Sequence, residues 1–216
     1  MRALVVYGTT DGHTARVARV MTGWLRGRGL EVVLCDAAKE TPPDPLGFDL
    51  AVVAASLHFQ RYQARVTRFA TVNRDALNGM LAAFVSVSLS AAGDAPGDWA
   101  GLEACFQRFQ QQTGWRPRLV HHAAGAMPFR HYGPLRKLAI AWIARRHGFS
   151  VSVSEDYDLT DYSSLASFLD DLVLQLPATP ARAELGTATA SRRRASTADH
   201  ACAPRVSRGS RRFASS

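Results

Sequence analysis

Cysteine is scarce. The 216-residue chain has three, Cys35, Cys105 and Cys202, set far apart and with no CxxC pair. A disulfide framework and a zinc site are therefore poor expectations, and a reducing, cytosolic compartment is the default. No run of about 18 apolar residues occurs, which argues against a membrane-spanning helix. The apolar stretch after Met1 is too short for a secretory signal. The chain also lacks GxGxxG and GxxxxGK[ST] motifs, which disfavours a dinucleotide or a nucleoside triphosphate. Acids are missing from residues 128–148, which hold Arg130, Arg136, Lys137, Arg145 and Arg146, and are few in residues 177–216, where two face eight arginines. These two segments account for the formal charge of +8; the remainder has 13 basic and 16 acidic residues. A basic face on the folded core is thus not expected, and neither is specific nucleic-acid binding.

Hydrophobic residues make up 47% of the chain, enough for a packed core. Short apolar runs at Ala3–Tyr7, Leu30–Leu34, Asp49–Ala55, Ala83–Val87 and Arg118–Ala123 read as five buried strands. Between them, helical spacing predicts a helix through Val17, Val20, Met21, Trp24 and Leu25, closed by Gly27 and Gly29, further helices at 64–77 and 99–113, and a last one at 162–176. Alternating strands and helices predict a parallel sheet covered on both faces. The length fits a flavodoxin-like α/β sandwich of strand order 2-1-3-4-5, whose ligand lies beyond the carboxyl ends of the strands. The domain is expected to span 1–176, with a basic helical insertion at about 128–157 after strand five. Residues 177–216 are poor in large apolar side chains and rich in Ala, Ser, Thr and Arg, and so are expected to be a disordered tail. The tail is either a solvated appendage or an anion-attracting one, through Arg192–Arg194 and Arg211-Arg212.

The first loop, Thr9-Thr10-Asp11-Gly12-His13-Thr14, puts hydroxyls and a glycine at the start of a helix. That combination suits a phosphate. Thr10 or Asp11 could instead be the helix N-cap. The loop resembles the flavodoxin phosphate loop. It is also similar to that of a narrower group, the flavodoxin-like, quinone-dependent protoporphyrinogen IX dehydrogenases of heme biosynthesis. The segments Ala55-Ser56-Leu57-His58-Phe59-Gln60-Arg61-Tyr62, Phe84–Leu89, Trp115-Arg116-Pro117, Ala124-Gly125-Ala126 and Thr160-Asp161 resemble that family's motifs in the same order, over residues 1–175.

The resemblance implies oxidation of protoporphyrinogen IX to protoporphyrin IX through FMN, with menaquinone or ubiquinone as acceptor. FMN binding is expected at Thr9, Thr10, Asp11, Gly12, His13 and Thr14, at Ser56, Leu57, His58, Phe59 and Tyr62, and at Ser88, Leu89 and Ser90. His58, Phe59 and Tyr62 offer ring surface to the flavin, unless the two aromatics pack on the following helix and His58 is merely exposed. The third loop has no aromatic before Trp99, which leaves a flavin open to substrate. Arg130, Arg136 and Lys137 are expected to bind the substrate's propionates. Leu135, Leu138, Ala139, Trp142 and Ile143 share one side of a basic helix, imperfectly, because Arg146 falls in the stripe. That helix either packs on its own domain or docks on an anionic membrane surface. The second outcome, which the resemblance favours, makes the protein a cytoplasmic enzyme peripherally bound to the inner face of the membrane. No general base is evident beyond His58 and His131, and no metal is expected. The alternatives are an electron-carrying flavodoxin, an NAD(P)H-fed quinone reductase and a binding module without FMN. The oligomeric state is not encoded in any feature of the sequence.

Overall fold

A computed structural model describes residues 1–93, 96–128 and 156–177. Arg130, Arg136, Lys137, the basic stripe and residues 178–216 lie outside them. The first strand, β1 (Arg2–Gly8), is followed by α1 (His13–Gly27) and β2 (Glu31–Asp36). Then come β3 (Leu50–His58), β4 (Arg61–Tyr62), α2 (Ala64–Val72), α3 (Arg74–Gly79) and β5 (Leu81–Ser88). The chain continues through α4 (Pro96–Thr113), β6 (Leu119–Ala124), β7 (Ala126–Pro128), β8 (Asp156–Asp158) and α5 (Tyr162–Leu174).

Five parallel strands run β2-β1-β3-β5-β6, the expected flavodoxin-like order. In the parallel registers Val5 lies beside Leu34 on one side and Val52 on the other, and Val52 beside Ala83. Side chains alternate between the two faces of a strand, and both faces here are covered. Ala3, Val5 and Tyr7 enter one core with Val17, Met21 and Leu25 of α1 and Leu165, Leu169 and Leu172 of α5. Leu4 and Val6 enter the other with Val66 and Phe69 of α2, Phe106 and Phe109 of α4, and Trp115. Each large apolar side chain so buried contributes about 1.5–3 kcal/mol. Continuous apolar strands are therefore what this architecture requires. Trp115, read as part of a family motif, is a fully buried core residue set edge-on to Phe84.

Several elements differ from expectation at their ends. The third strand continues past Ala55 to His58 and then turns back, so that β4 pairs antiparallel with it. The helix expected over 64–77 breaks at Asn73, whose side chain donates to Phe69 O, while Leu77 keeps its inward place in α3. The fourth helix starts three residues before Trp99, at Pro96. After β6, Ala126, Met127 and Pro128 pair antiparallel with Asp158, Tyr157 and Asp156. The two ends of the expected insertion thus meet in a short ladder beside the sheet.

Candidate functional site

Between β1 and β3 the chain order switches direction, and their carboxyl ends open a crevice. The first loop forms one wall. Gly12, at φ 85°, is the N-cap of α1 and has no side chain of its own to cap the helix. Thr10 and Asp11, the alternative N-caps weighed above, thus stand just before that position. The backbone turns there through a left-handed conformation that only glycine adopts readily. The Thr10 hydroxyl accepts from Gln63 Nε2 at 3.1 Å. The Asp11 carboxylate faces His58 Nε2 across the crevice at 3.8 Å. Thr9 Oγ1 accepts from Gly12 N at 2.9 Å, closing the turn. Thr14 is buried in the first helical turn.

His13 ties this loop to the far side of the domain. The Thr160 hydroxyl donates to Ala124 O at 2.8 Å, so it accepts from His13 Nε2, also at 2.8 Å, which assigns the proton to that nitrogen. Burial lowers the His13 pKa, opposed by the Asp158 carboxylate 3.6 Å away. Burial works against the Asp158 charge too. Hydrogen bonds from the Tyr162 hydroxyl and Thr160 N–H nevertheless hold its carboxyl below the ordinary range.

The second wall is the β3–β4 hairpin. Its two turn residues, Phe59 and Gln60, both have positive φ, 47° and 60°. Two-residue hairpins favour this geometry but normally fill it with Asn and Gly. Phe59 is 99% exposed at the rim. Ser56 Oγ accepts from Gln63 Nε2, which links the loop to the base of α2. Tyr62 points elsewhere. Its ring sits edge-on to Phe84 and Phe109 at 5.1 and 5.2 Å, and its hydroxyl bonds Ser86 Oγ at 2.9 Å. Its pKa is raised by burial. Tyr62 has therefore joined the core, the alternative in which it packs inward.

The third loop forms a tight 3-10 turn at Leu89–Ala92, with Ser88 Oγ accepting from Ala91 N. Trp99 Nε1 donates to Gly93 O at 3.0 Å and fastens the loop to α4. Gly125 lies against this turn. A Cβ there would come 3.3 Å from the Ser88 carbonyl carbon and 3.4 Å from Leu89 N, so a side chain would displace the backbone.

Together the loops enclose a cleft of about 380 Å³. Thr9, Asp11, His13, Thr14, Ser56, Leu57, His58, Phe59, Ser88, Leu89 and Ser90 line it, whereas Thr10, Gly12 and Tyr62 do not. Sequence reasoning missed the wall supplied by α4, with Gly97, Gly101, Cys105 and Arg108, and the floor at Gly125. The four-residue spacing of Gly97 and Gly101 puts both on one helix face, a signal available in the sequence. The cleft suits FMN. A helix N-terminus that opens on a glycine, with small hydroxyls beside it, fits a phosphate; Leu57 and Leu89 give apolar surface, and the packed backbone at Gly125 leaves the cleft free of a side chain. Among the described residues no group of three His, Cys, Asp or Glu could hold a metal ion. None of their helices is long and apolar enough to cross a membrane.

A doubly wound sheet of this order, with a phosphate-type loop at its carboxyl edge, defines a protein of the flavodoxin fold. The chain belongs to the flavodoxin domain family, whose sequence profile matches residues 4–152. Among curated proteins it is similar to the protoporphyrinogen IX dehydrogenase [quinone] of Escherichia coli (strain K12). The two are 23% identical over 172 residues, or 80% of this chain and 94% of that protein. The protein of the same name from Leishmania major is 25% identical over 190 residues, 86% of this chain and 80% of its own. Oxidised Flavodoxin 1 from Bacillus cereus has the same fold, with a TM-score of 0.51 at 13% identity; the match covers 82% of this chain and 100% of that one. The resemblance seen in the ordered loop motifs is borne out by these relatives.

Proposed function

We propose that the chain is an FMN-dependent oxidoreductase that oxidises protoporphyrinogen IX to protoporphyrin IX and passes the electrons to menaquinone or ubiquinone. The observation that carries this reading is the cleft at the strand ends, where a helix start on a glycine and three loops meet. The relatives' names supply the substrate and acceptor. Bound FMN supplies two-electron redox chemistry that side chains lack.

The chain's own groups bind and orient. Backbone N–H groups of the first turn of α1, with the Thr9 and Thr14 hydroxyls, hold the phosphate. Ser56, Leu57, Ser88, Leu89 and Ser90 form the walls against the ring system. The Asp11–His58 pair closes the crevice between the first two loops. Phe59 stands at the rim, where a flat substrate enters. Arg130, Arg136 and Lys137 meet carboxylates or lipid headgroups in the basic insertion, which brings the protein to the cytoplasmic membrane face where quinone is available. Six electrons leave each substrate, so one site must act three times.

The test is an FMN titration followed by anaerobic mixing with protoporphyrinogen IX. Flavin absorbance should bleach without NAD(P)H and return when quinone is added. Bleaching by NAD(P)H alone would make the protein a reductase of another kind. Deleting residues 130–148 should preserve FMN binding, because the cut falls outside β7 and β8, while slowing both half-reactions and weakening binding to anionic liposomes. Parent rates in that deletion would reduce the insertion to scaffold.

A further inference from the structure

We propose that a second groove, beside the cleft, binds the two carboxylates of the flat, amphipathic substrate, which leaves Arg130, Arg136 and Lys137 of the insertion to lipid headgroups. This placement rests on the function proposed above. The groove has a volume of about 680 Å³ and lies between the hairpin, α2 and α4. It shares Gln60, Cys105 and Arg108 with the cleft, so the two adjoin along those residues.

Three arginines from three elements line it, Arg61 of β4, Arg68 of α2 and Arg108 of α4, and no acid is among its lining residues. Among the described residues none of the three is in an ion pair. Arg108 Nη1 donates to Gln60 O at 3.5 Å, which holds it at the junction with the cleft. The surrounding sequence has the same bias, since residues 50–74 contain four arginines and no acid. Guanidinium groups recognise carboxylates in a paired, two-pronged geometry. Thr67 and Thr71 add hydroxyls to the wall. Two exposed apolar side chains flank the arginines, Phe59 at 99% and Val72 at 72% exposure. An anion with an apolar body fits this pattern better than a simple ion. A concave groove of small-molecule size beside the cleft also fits a bound dicarboxylate better than a planar lipid surface. The apolar body would lie against the Phe59 rim and the carboxylates among the arginines.

The test uses the FMN-loaded full chain and two probes, protoporphyrin IX and its dimethyl ester, titrated by fluorescence. The parent should bind the diacid about tenfold tighter than the diester, and salt should shrink the difference. Arg61→Gln with Arg68→Gln should weaken diacid binding about tenfold, leave the diester unchanged, and keep FMN affinity, since neither residue lines the cleft. The KM for protoporphyrinogen IX should rise with little change in kcat. Equal affinity of the parent for diacid and diester would overturn the proposal. So would a diacid preference that survives the substitutions, or substitutions that weaken only binding to phosphatidylglycerol vesicles. Should the double variant fold poorly, Arg68→Gln alone and the salt dependence of the parent decide the same question. If the parent shows the diacid preference and the variant loses it, yet protoporphyrinogen IX never bleaches the flavin, the groove stands and the functional reading falls. Bleaching with the same KM in parent and variant means the reverse.

Discussion

The two loops that face each other across the cleft reach positive φ in opposite ways. The first places Gly12 there, in open space with nothing within 4 Å of a would-be Cβ. The second places Phe59 and Gln60 there, side by side. A glycine in the left-handed region costs little, whereas a side chain there costs about 1–2 kcal/mol. The first loop is thus relaxed, its turn closed by the Gly12 N–H on Thr9 Oγ1. The second is strained and holds a phenyl ring out in solvent. Strain of this kind persists only where the surroundings impose it, and it collects at functional positions. On the function proposed above, the first loop would hold the resident cofactor and the second would meet the transient substrate.

The largest break in that contrast should come from the ligand side. Thr9→Val and Thr14→Val each remove a hydroxyl proposed to meet the FMN phosphate, worth about 1.5–3 kcal/mol, or roughly tenfold or more in affinity. Fluorescence titration of FMN measures it; unchanged affinity in a folded double variant would move the phosphate elsewhere. Next, Gly12→Ala should destabilise the fold by about 1–2 kcal/mol through backbone strain alone. The opposite change, Phe59→Asn with Gln60→Gly, should stabilise it by about 1 kcal/mol, raising Tm by roughly 2–4 °C, and should lower substrate turnover. If both variants shift Tm in the same direction, the contrast between the loops is false.

Acid offers a graded probe of the same walls. Burial lowers the pKa values of His13, His121 and His122 below the ordinary 6.5. The unfolded chain then binds more protons than the folded one between the folded values and 6.5. Stability is therefore complete above about pH 6.5 and declines as pH falls through that window. Thermal melts from pH 7.5 to 5.0 should show the decline, and His13→Gln should flatten part of it. The smallest effect is expected from removing residues 177–216, which we propose to be a tail without a core of its own. Tm and FMN affinity should not change, and a loss of more than about 1 kcal/mol, or roughly 2–4 °C, would show that the segment packs on the domain.

The fold was legible because parallel strands buried on both faces must be apolar throughout. Leu4 to Val6 and Ala51 to Val53 leave no other use for such runs. Boundaries were less so. Asn73 ends a helix through its own side chain, and the apolar periodicity that continues to Leu77 conceals the break. The first loop of the site was legible from hydroxyls beside a glycine. Tyr62 was not placed, since a loop aromatic reads alike whether it turns to a ligand or, as here, to Phe84 and Ser86. The arginine groove was hidden for a different reason. Its charges come from positions 61, 68 and 108 on three elements, and only tertiary contact assembles them.

The ladder of β7 and β8 has a consequence for how such a chain can diversify. Because Ala126 pairs with Asp158 and Pro128 with Asp156, whatever joins residues 128 and 156 departs and returns through one gate. The sheet's register and the route to α5 are settled before that gate is crossed. Doubling the length of the excursion would add only about 0.6 kcal/mol of closure entropy. By that measure the length of the excursion is a weak constraint on the ladder that closes it, so this is the place where one scaffold can be refitted for new surfaces.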